Sequence, residues 1–414
     1  MTTLDFKPNG IVVLHVRHGD VVVRGQPGRN SGHLIARAGS APDQAPQVSQ
    51  SEGETHLHTA GDVTLTLPAG TGCRLLGEAG DVVLRMLGEV GLEHCHGDLV
   101  GSDLTALQIT GEVHGDAAMR QITGSLSLER VHGDLAVASA GLVRVAAVEG
   151  DVSLSGVGEV HAGRIHGDLH ASACRQVLIK EIDGDAALVS ITEAADLKRV
   201  SGDLAVTAPG RTLAAPEVGG DARLTGALLS EGTYWIGARG DVAARITGDV
   251  RVVVRAGGQV RLDPSATVEN GEDGLVRATL GQPERAAALN IEAQGNVKIN
   301  APGKGDRAAA GIDGEIRRAM AEMQKEMARA ASVLGKEAGR AAGQVSAQMG
   351  AEIGASMRSL ARDLFESVSP KPAAPAPPKT AGPSRDELHA ILDMLAAGKI
   401  SAAEAENLIE ALRG

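Results

Sequence analysis

A Gly-Asp dipeptide recurs along the chain, with its aspartates at Asp62, Asp81, Asp98, Asp116, Asp134, Asp151, Asp168, Asp185, Asp203, Asp221 and Asp241. The ten intervals run from 17 to 20 residues. So short and even a period marks stacked structural repeats rather than one globular core. Fixed columns travel with it. The residue after the Asp is apolar in every repeat, as in Val82, Leu99, Leu135 and Leu204. So is nearly every residue two further on, as in Leu84, Val137, Leu154 and Leu188. Three before the Asp stand Cys95, Val113, Val131, Val148, Ile165 and Ile182. Spacing by two is strand periodicity. The fold class expected is therefore mainly β: a single-stranded, three-sided parallel β-solenoid of about 18 residues per coil, its coils about 4.8 Å apart. A dozen such coils would form a rod on the order of 55 Å long. The Gly suits a corner that needs φ > 0. The Asp suits the closing of that corner by an Asx turn.

Composition agrees with stacked coils. The chain of 414 residues holds 54 Gly and four aromatics: Phe6, Tyr234, Trp235 and Phe365. When each coil lies on a near-copy of itself, a column accepts one size class, and a large ring in one coil needs room in both neighbours. The scarcity of rings also removes base-stacking platforms. A net charge of -12 disfavours nonspecific nucleic-acid binding, which neutralises phosphates. The three cysteines, Cys73, Cys95 and Cys174, are odd in number and form no CxxC pair. That pattern disfavours a disulfide framework and fits a reducing compartment. The N-terminal stretch lacks a long apolar core, so no signal peptide is read, and no apolar run approaches the roughly 20 residues of a membrane span. The expected location is the cytoplasm, with the inner face of the membrane as the second choice.

Five segments follow. Residues 1–54 give N-terminal strands and a loop that join the solenoid: two strands around a tight corner in 11–24, then a long loop over 25–54. Residues 55–305 form the solenoid, with closing strands in 241–300. Tyr234 and Trp235 fit either a wider final coil or a small exposed contact patch. Over 306–368, apolar or small residues from Ile316 to Leu364 recur at a helical step near 3.7, above the 3.5 of a left-handed coiled coil. This predicts a long amphipathic helix. Gly335, Gly339 and Gly343 lie four apart, which permits close backbone approach to the solenoid flank, a second copy or a lipid surface. The eight basic and eight acidic residues between Asp313 and Glu366 balance, so the membrane surface is the less favoured partner. Residues 369–383 are a Pro/Ala linker. Residues 384–414 form a helical hairpin, with capping boxes at Ser384/Glu387 and Ser401/Glu404 and a C-cap at Gly398. Its apolar face offers Leu388, Leu392, Leu395, Ile400, Leu408 and Leu412 as association residues.

The stretch VTLTLPAGTGCRLLGEAGDVVLRMLGEV at 63–90 resembles the putative-adhesin β-solenoid family of bacteria, a likeness that extends over about 240 residues. The resemblance implies an architecture and brings no catalytic residues. The stretch ILDMLAAGKISAAEAENLIEAL resembles a SHOCT-like helical hairpin. That resemblance implies association, and the pairing of both modules implies a bacterial protein linked to envelope stress and acting near the membrane.

One column carries candidate chemistry. Two before the repeat Asp stand His96, His114, His132, Glu149, His166, Asp183 and Ser201. Histidines on successive coils stand within reach of a shared divalent ion, so His96, His114, His132 and His166 are metal candidates. The competing and favoured reading is a polar corner in which His softens the repulsion of stacked carboxylates. On that reading no metal and no cofactor is bound. Arg239-Gly240-Asp241 spells a cell-attachment tripeptide but is the ordinary repeat Gly-Asp after an Arg. No Walker loop, nucleophile elbow or HExxH motif is present. The function expected is a non-enzymatic scaffold that joins protein partners or itself through residues 306–414. The alternatives are an adhesin-like ligand-binding surface and a β-helix enzyme.

Overall fold

The computed structural model describes residues 2–36, 46–51, 53–270 and 274–300. The helix expected over 306–368, the linker and the hairpin with its association residues lie outside them. The described residues are mainly β, with one three-residue 3-10 turn at Pro283–Arg285.

The strands pair one repeat apart. Leu135–Val148 lies parallel to Ala117–Val131 on one side and to Val152–Ile165 on the other, with Leu135 opposite both Ala117 and Val152. Each repeat contributes a stretch from the residue after the Asp, a second stretch beyond a corner, and a short third stretch that returns to the next Gly-Asp. Leu135, Val137, Val143 and Val148 all point inward and are buried. The apolar columns seen in the sequence thus become one continuous core. Column volume is shared between neighbours. A Cβ on Gly101 would lie 2.6 Å from the sulfur of Met119, its partner in the next repeat, so the missing side chain of one makes room for the long side chain of the other.

The Asp does not close a local turn. Its Oδ1 accepts the backbone N–H of the Asp one repeat later. Asp98 N–H donates to Asp81 at 2.9 Å, Asp116 N–H to Asp98 at 2.8 Å, and Asp151 N–H to Asp134 at 2.7 Å. The series continues to Asp241, whose N–H donates to Asp221 at 2.7 Å. The Gly before it is likewise not a positive-φ residue in the repeats from Gly97 to Gly240. It is required by proximity: a Cβ on Gly133 would sit 2.2 Å from Oδ1 of Asp116. The positive-φ corner falls instead five residues after the Asp. There Met86, Asp103, Gln121, Ser139, Ala173, Ser190 and Ala208 hold φ between 51° and 63°. An L-residue in this region costs about 1–2 kcal/mol, and the ladder helps hold it there: Ala173 N–H, for example, donates to Val189 O at 2.9 Å.

Both ends depart from sequence order. Ile11–Val16 and Val21–Gln26 insert between the 54–68 and 73–85 strands: Val12 pairs with Thr55 and Cys73, and Val21 with Val63 and Val82. Asp20 therefore stands between Asp62 and Asp81, which the period alone places side by side. At the far end, Ala287–Ala293 inserts between Thr233–Ala238 and Val250–Ala256. Asn296 continues the ladder, its N–H donating to Asp241 at 2.7 Å and its Oδ1 accepting from Gln259 N–H at 3.0 Å. Antiparallel strands then cover the outer edges. Gly32–Ala36 and Gln47–Ser51, both within the expected 25–54 loop, close one end. Val276–Leu280 and Thr267–Asn270 close the other. An uncovered parallel edge would template pairing with another chain.

Burial, with the carboxylates of Asp116 and Asp81 adding to it, raises Asp98 to about 6. Its ionic contribution to stability is complete below the ordinary Asp value near 3.9 and is lost as pH rises through about 6. The ladder needs the oxygen rather than the charge, as Asn296 demonstrates. Asp98→Asn should therefore unfold at an equal or higher urea midpoint at pH 7. Asp98→Ala, which leaves Asp116 N–H without its acceptor, should lose about 1–2 kcal/mol. An Asn variant as unstable as the Ala variant would refute this account.

Candidate functional site

The corner column runs beside the ladder because only the repeat Gly separates it from each Asp. The returning stretch ends at the inward Val113 or Val131, and the next residue, His114 or His132, turns outward. His96 and His114 stack with ring centroids 5.1 Å apart and planes 13° apart, and His114 and His132 with 4.8 Å and 4°. His132 lies between two carboxylates: Nε2 is 3.1 Å from Glu112 and Nδ1 is 3.0 Å from Glu149. His166 Nδ1 lies 2.9 Å from Asp183, which also accepts from Arg164. His96 lies 3.9 Å from Glu78.

Of the four histidines singled out as ligands, the structure brings His114 and His132 together, joined by Glu112; one donor atom of each lies within 4.8 Å of the others. His96 and His166 stand outside that group, each with its own acid. A tetrahedral zinc site takes imidazole nitrogen at about 2.0–2.1 Å, which places its ligands closer together than the face-to-face rings do. Both nitrogens of His132 already face carboxylates. As it stands, the arrangement pairs His132 with two acids and His166 with one by short polar contacts. Hydrogen bonds to Glu112 and then Glu149 raise His132 above its ordinary value, and the bond from His132 holds Glu112 below the usual carboxylate range.

Other side chains here were not singled out from the sequence. His18, two before Asp20, has the same offset from a Gly-Asp and approaches Glu78 at 3.8 Å, but Asp20 lies outside the regular period. Glu112 lies four before Asp116, in a column with no uniform residue type. A second histidine group forms near the N-terminus, where His15 stacks on His58 at 4.1 Å and 11° and meets His56 Nδ1 at 3.4 Å. Burial, and then the two neighbouring rings, lower His15. The alternating histidines of THLHT are a signal by which this face could have been found, whereas the pairing with His15 comes only from the inserted strand.

The remaining sequence candidates separate cleanly. Asp241 of the Arg-Gly-Asp tripeptide spends its carboxylate on Asn296. Cys73, Cys95 and Cys174 are free and buried, and burial pushes the thiols of Cys73 and Cys95 up to about 12. Tyr234 and Trp235 take opposite sides of one strand. Tyr234 is buried and its hydroxyl donates to Gly210 O at 2.8 Å, whereas Trp235 is 43% exposed. Among the described residues, no helix is long and apolar enough to cross a membrane.

Comparison with known proteins adds a short match. Residues 386–414 match a family model described as a SHOCT-like domain. No curated protein matches the chain. Among solved structures, the chain is similar to one titled "Crystal structure of a putative cell adhesion protein from Clostridium sporogenes ATCC 15579", at 10% identity, covering 72% of this chain and 97% of that one. The TM-score is 0.16, too low to support an inference about fold or function.

The corner chemistry has a direct readout. In an NMR titration, His132 should titrate above the ordinary His value near 6.5, and Glu112→Gln should move it down. The favourable term is complete below that ordinary value and lost as pH rises through the raised one. A midpoint that does not move in Glu112→Gln would exclude the pairing.

Proposed function

We propose that the protein is a non-enzymatic scaffold: a β-solenoid rod that associates through its C-terminal SHOCT-like hairpin. The observation that carries this reading is the unbroken aspartate ladder from Asp62 to Asn296, closed at both ends by antiparallel strands. At about 4.8 Å per rung the stack is on the order of 60 Å long, a stiff spacer whose edges are unsuited to end-to-end growth. Association then needs a separate module. The SHOCT-like match at 386–414 supplies one, and a hairpin of that size gains stability by burying its apolar face against another surface.

Light scattering on the full chain tests the reading. The intact protein should exceed the 42.2 kDa monomer mass or retain a partner on affinity purification. Leu392→Asp with Leu408→Asp should return it to the monomer mass or release the partner. Unchanged mass and unchanged partners would refute the scaffold reading.

A further inference from the structure

The first stretch of every repeat has an outward face, and over much of its length that face is closed to solvent. Leu169 and Ala171 belong to the core, so His170 and Ser172 point the other way. His170 is nevertheless 6% exposed. The same holds at the paired outward positions of earlier repeats: Val100, Ala136, Ala138, Ser153 and Ser155 are buried, yet none belongs to the core cluster. The second and third stretches behave as outer faces ordinarily do, with Arg130, Arg144, Arg164 and Arg199 in solvent. Small side chains on an open sheet remain wetted, so this face has a cover. The contacts of the described strands run between ladder neighbours and supply none.

His170 adds an independent observation. Both its ring nitrogens are buried and neither has a hydrogen-bond partner. On an open outer face water would reach both. Burial also pushes this imidazole down to about 4, the behaviour of a ring enclosed away from solvent.

We infer that the cover is the chain's own segment 306–365, laid as a helix along the outward face of the first-stretch sheet. The burial is present within a single chain, so a second copy is not required. Of the other stretches outside the described residues, 37–45 and 271–273 are too short, and the hairpin expected over 384–414 has arms of only about 15 residues: the face from Asp62 to Asp168 spans eight rungs, about 34 Å, or about 23 residues of helix. The segment starts in the right place. Val297–Ile299 pairs with Val242–Ala244 in this same sheet, so the chain leaves the stack on the sheet it would cover, five rungs beyond Asp168. Residues 306–365 reach about 90 Å as a helix, more than the roughly 58 Å from Asn296 back to Asp62. Gly335, Gly339 and Gly343 on one side of that helix complement a stripe of Ala and Ser by letting the backbones approach closely.

Thiol labelling of the full chain reads this directly, because the native cysteines are buried. Ser153→Cys and Ala138→Cys should react at least tenfold more slowly than Arg144→Cys at every protein concentration. A protease site placed within 301–305 then allows the folded chain to be cut and the released tail removed by gel filtration, after which the three rates should converge. Equal rates in the uncut chain would overturn the proposal. Protection that falls on dilution would assign the cover to a second copy and would also overturn it, as would protection that survives removal of the tail. The outcome is independent of the hairpin: a cut within 369–383 should leave Ser153→Cys protected whether or not the hairpin associates.

Discussion

One carboxylate oxygen accepting one backbone amide, repeated along the stack, sets most of the structure. For Oδ1 of one Asp to reach the N–H of the next, the residue before that N–H must have no Cβ, because the oxygen occupies its place. This is why Gly and Asp travel as a pair. The bond also fixes the register between repeats, so each apolar side chain lies over its counterpart, and side-chain volume is traded locally, as between Gly101 and Met119. The ladder carries an electrostatic cost. Stacked carboxylates repel, and the interior rungs Asp20 and Asp98 are pushed upward, by burial first and by neighbouring carboxylates after it. At the far end Asn296 keeps the hydrogen bond and omits the charge.

The histidine corner is a response to the same geometry. Identical register stacks rings on rings and acids near acids. From His132 onward the column alternates rings and acids, so that His132 meets Glu149 and His166 meets Asp183, while Glu112 reaches His132 from the neighbouring column. Opposite or protonatable partners on adjacent rungs replace like-charge repulsion with hydrogen bonds. The same register that brings His114 and His132 together holds their rings face to face rather than converging on one point.

The end regions show how a repeating stack stops. A parallel ladder has no internal reason to terminate, and its last strand presents unpaired backbone groups. Here a distant segment is inserted beneath the final unit at each end, and antiparallel strands are laid over the outside. The insertion ties Ile11–Gln26 and Ala287–Ile299 between two neighbours each, so neither can fray without opening a paired strand.

The Gly-Asp period, the inward columns and the histidine offset were legible in the sequence because each is a local spacing carried by residue type. The burial of Cys95 and Cys174 followed from the same columns. The corner at Met86, Ser139 and Ala173 was not legible: no residue type marks it, and its φ is held by ladder bonds to a neighbouring repeat. The role of the Gly was misread for a related reason, since from Gly97 to Gly220 its constraint comes from an oxygen 16 or 17 residues away. Asp20 between Asp62 and Asp81, and Asn296 after Asp241, are invisible to any period because the spatial neighbours lie 42 and 55 residues apart in the chain. The amino-acid sequence alone determined that the chain repeats as β-strands and which side chains face inward. Only the tertiary structure decided the order of the end units and the partners of the histidines, because both depend on backbone pairing between segments that share no local pattern.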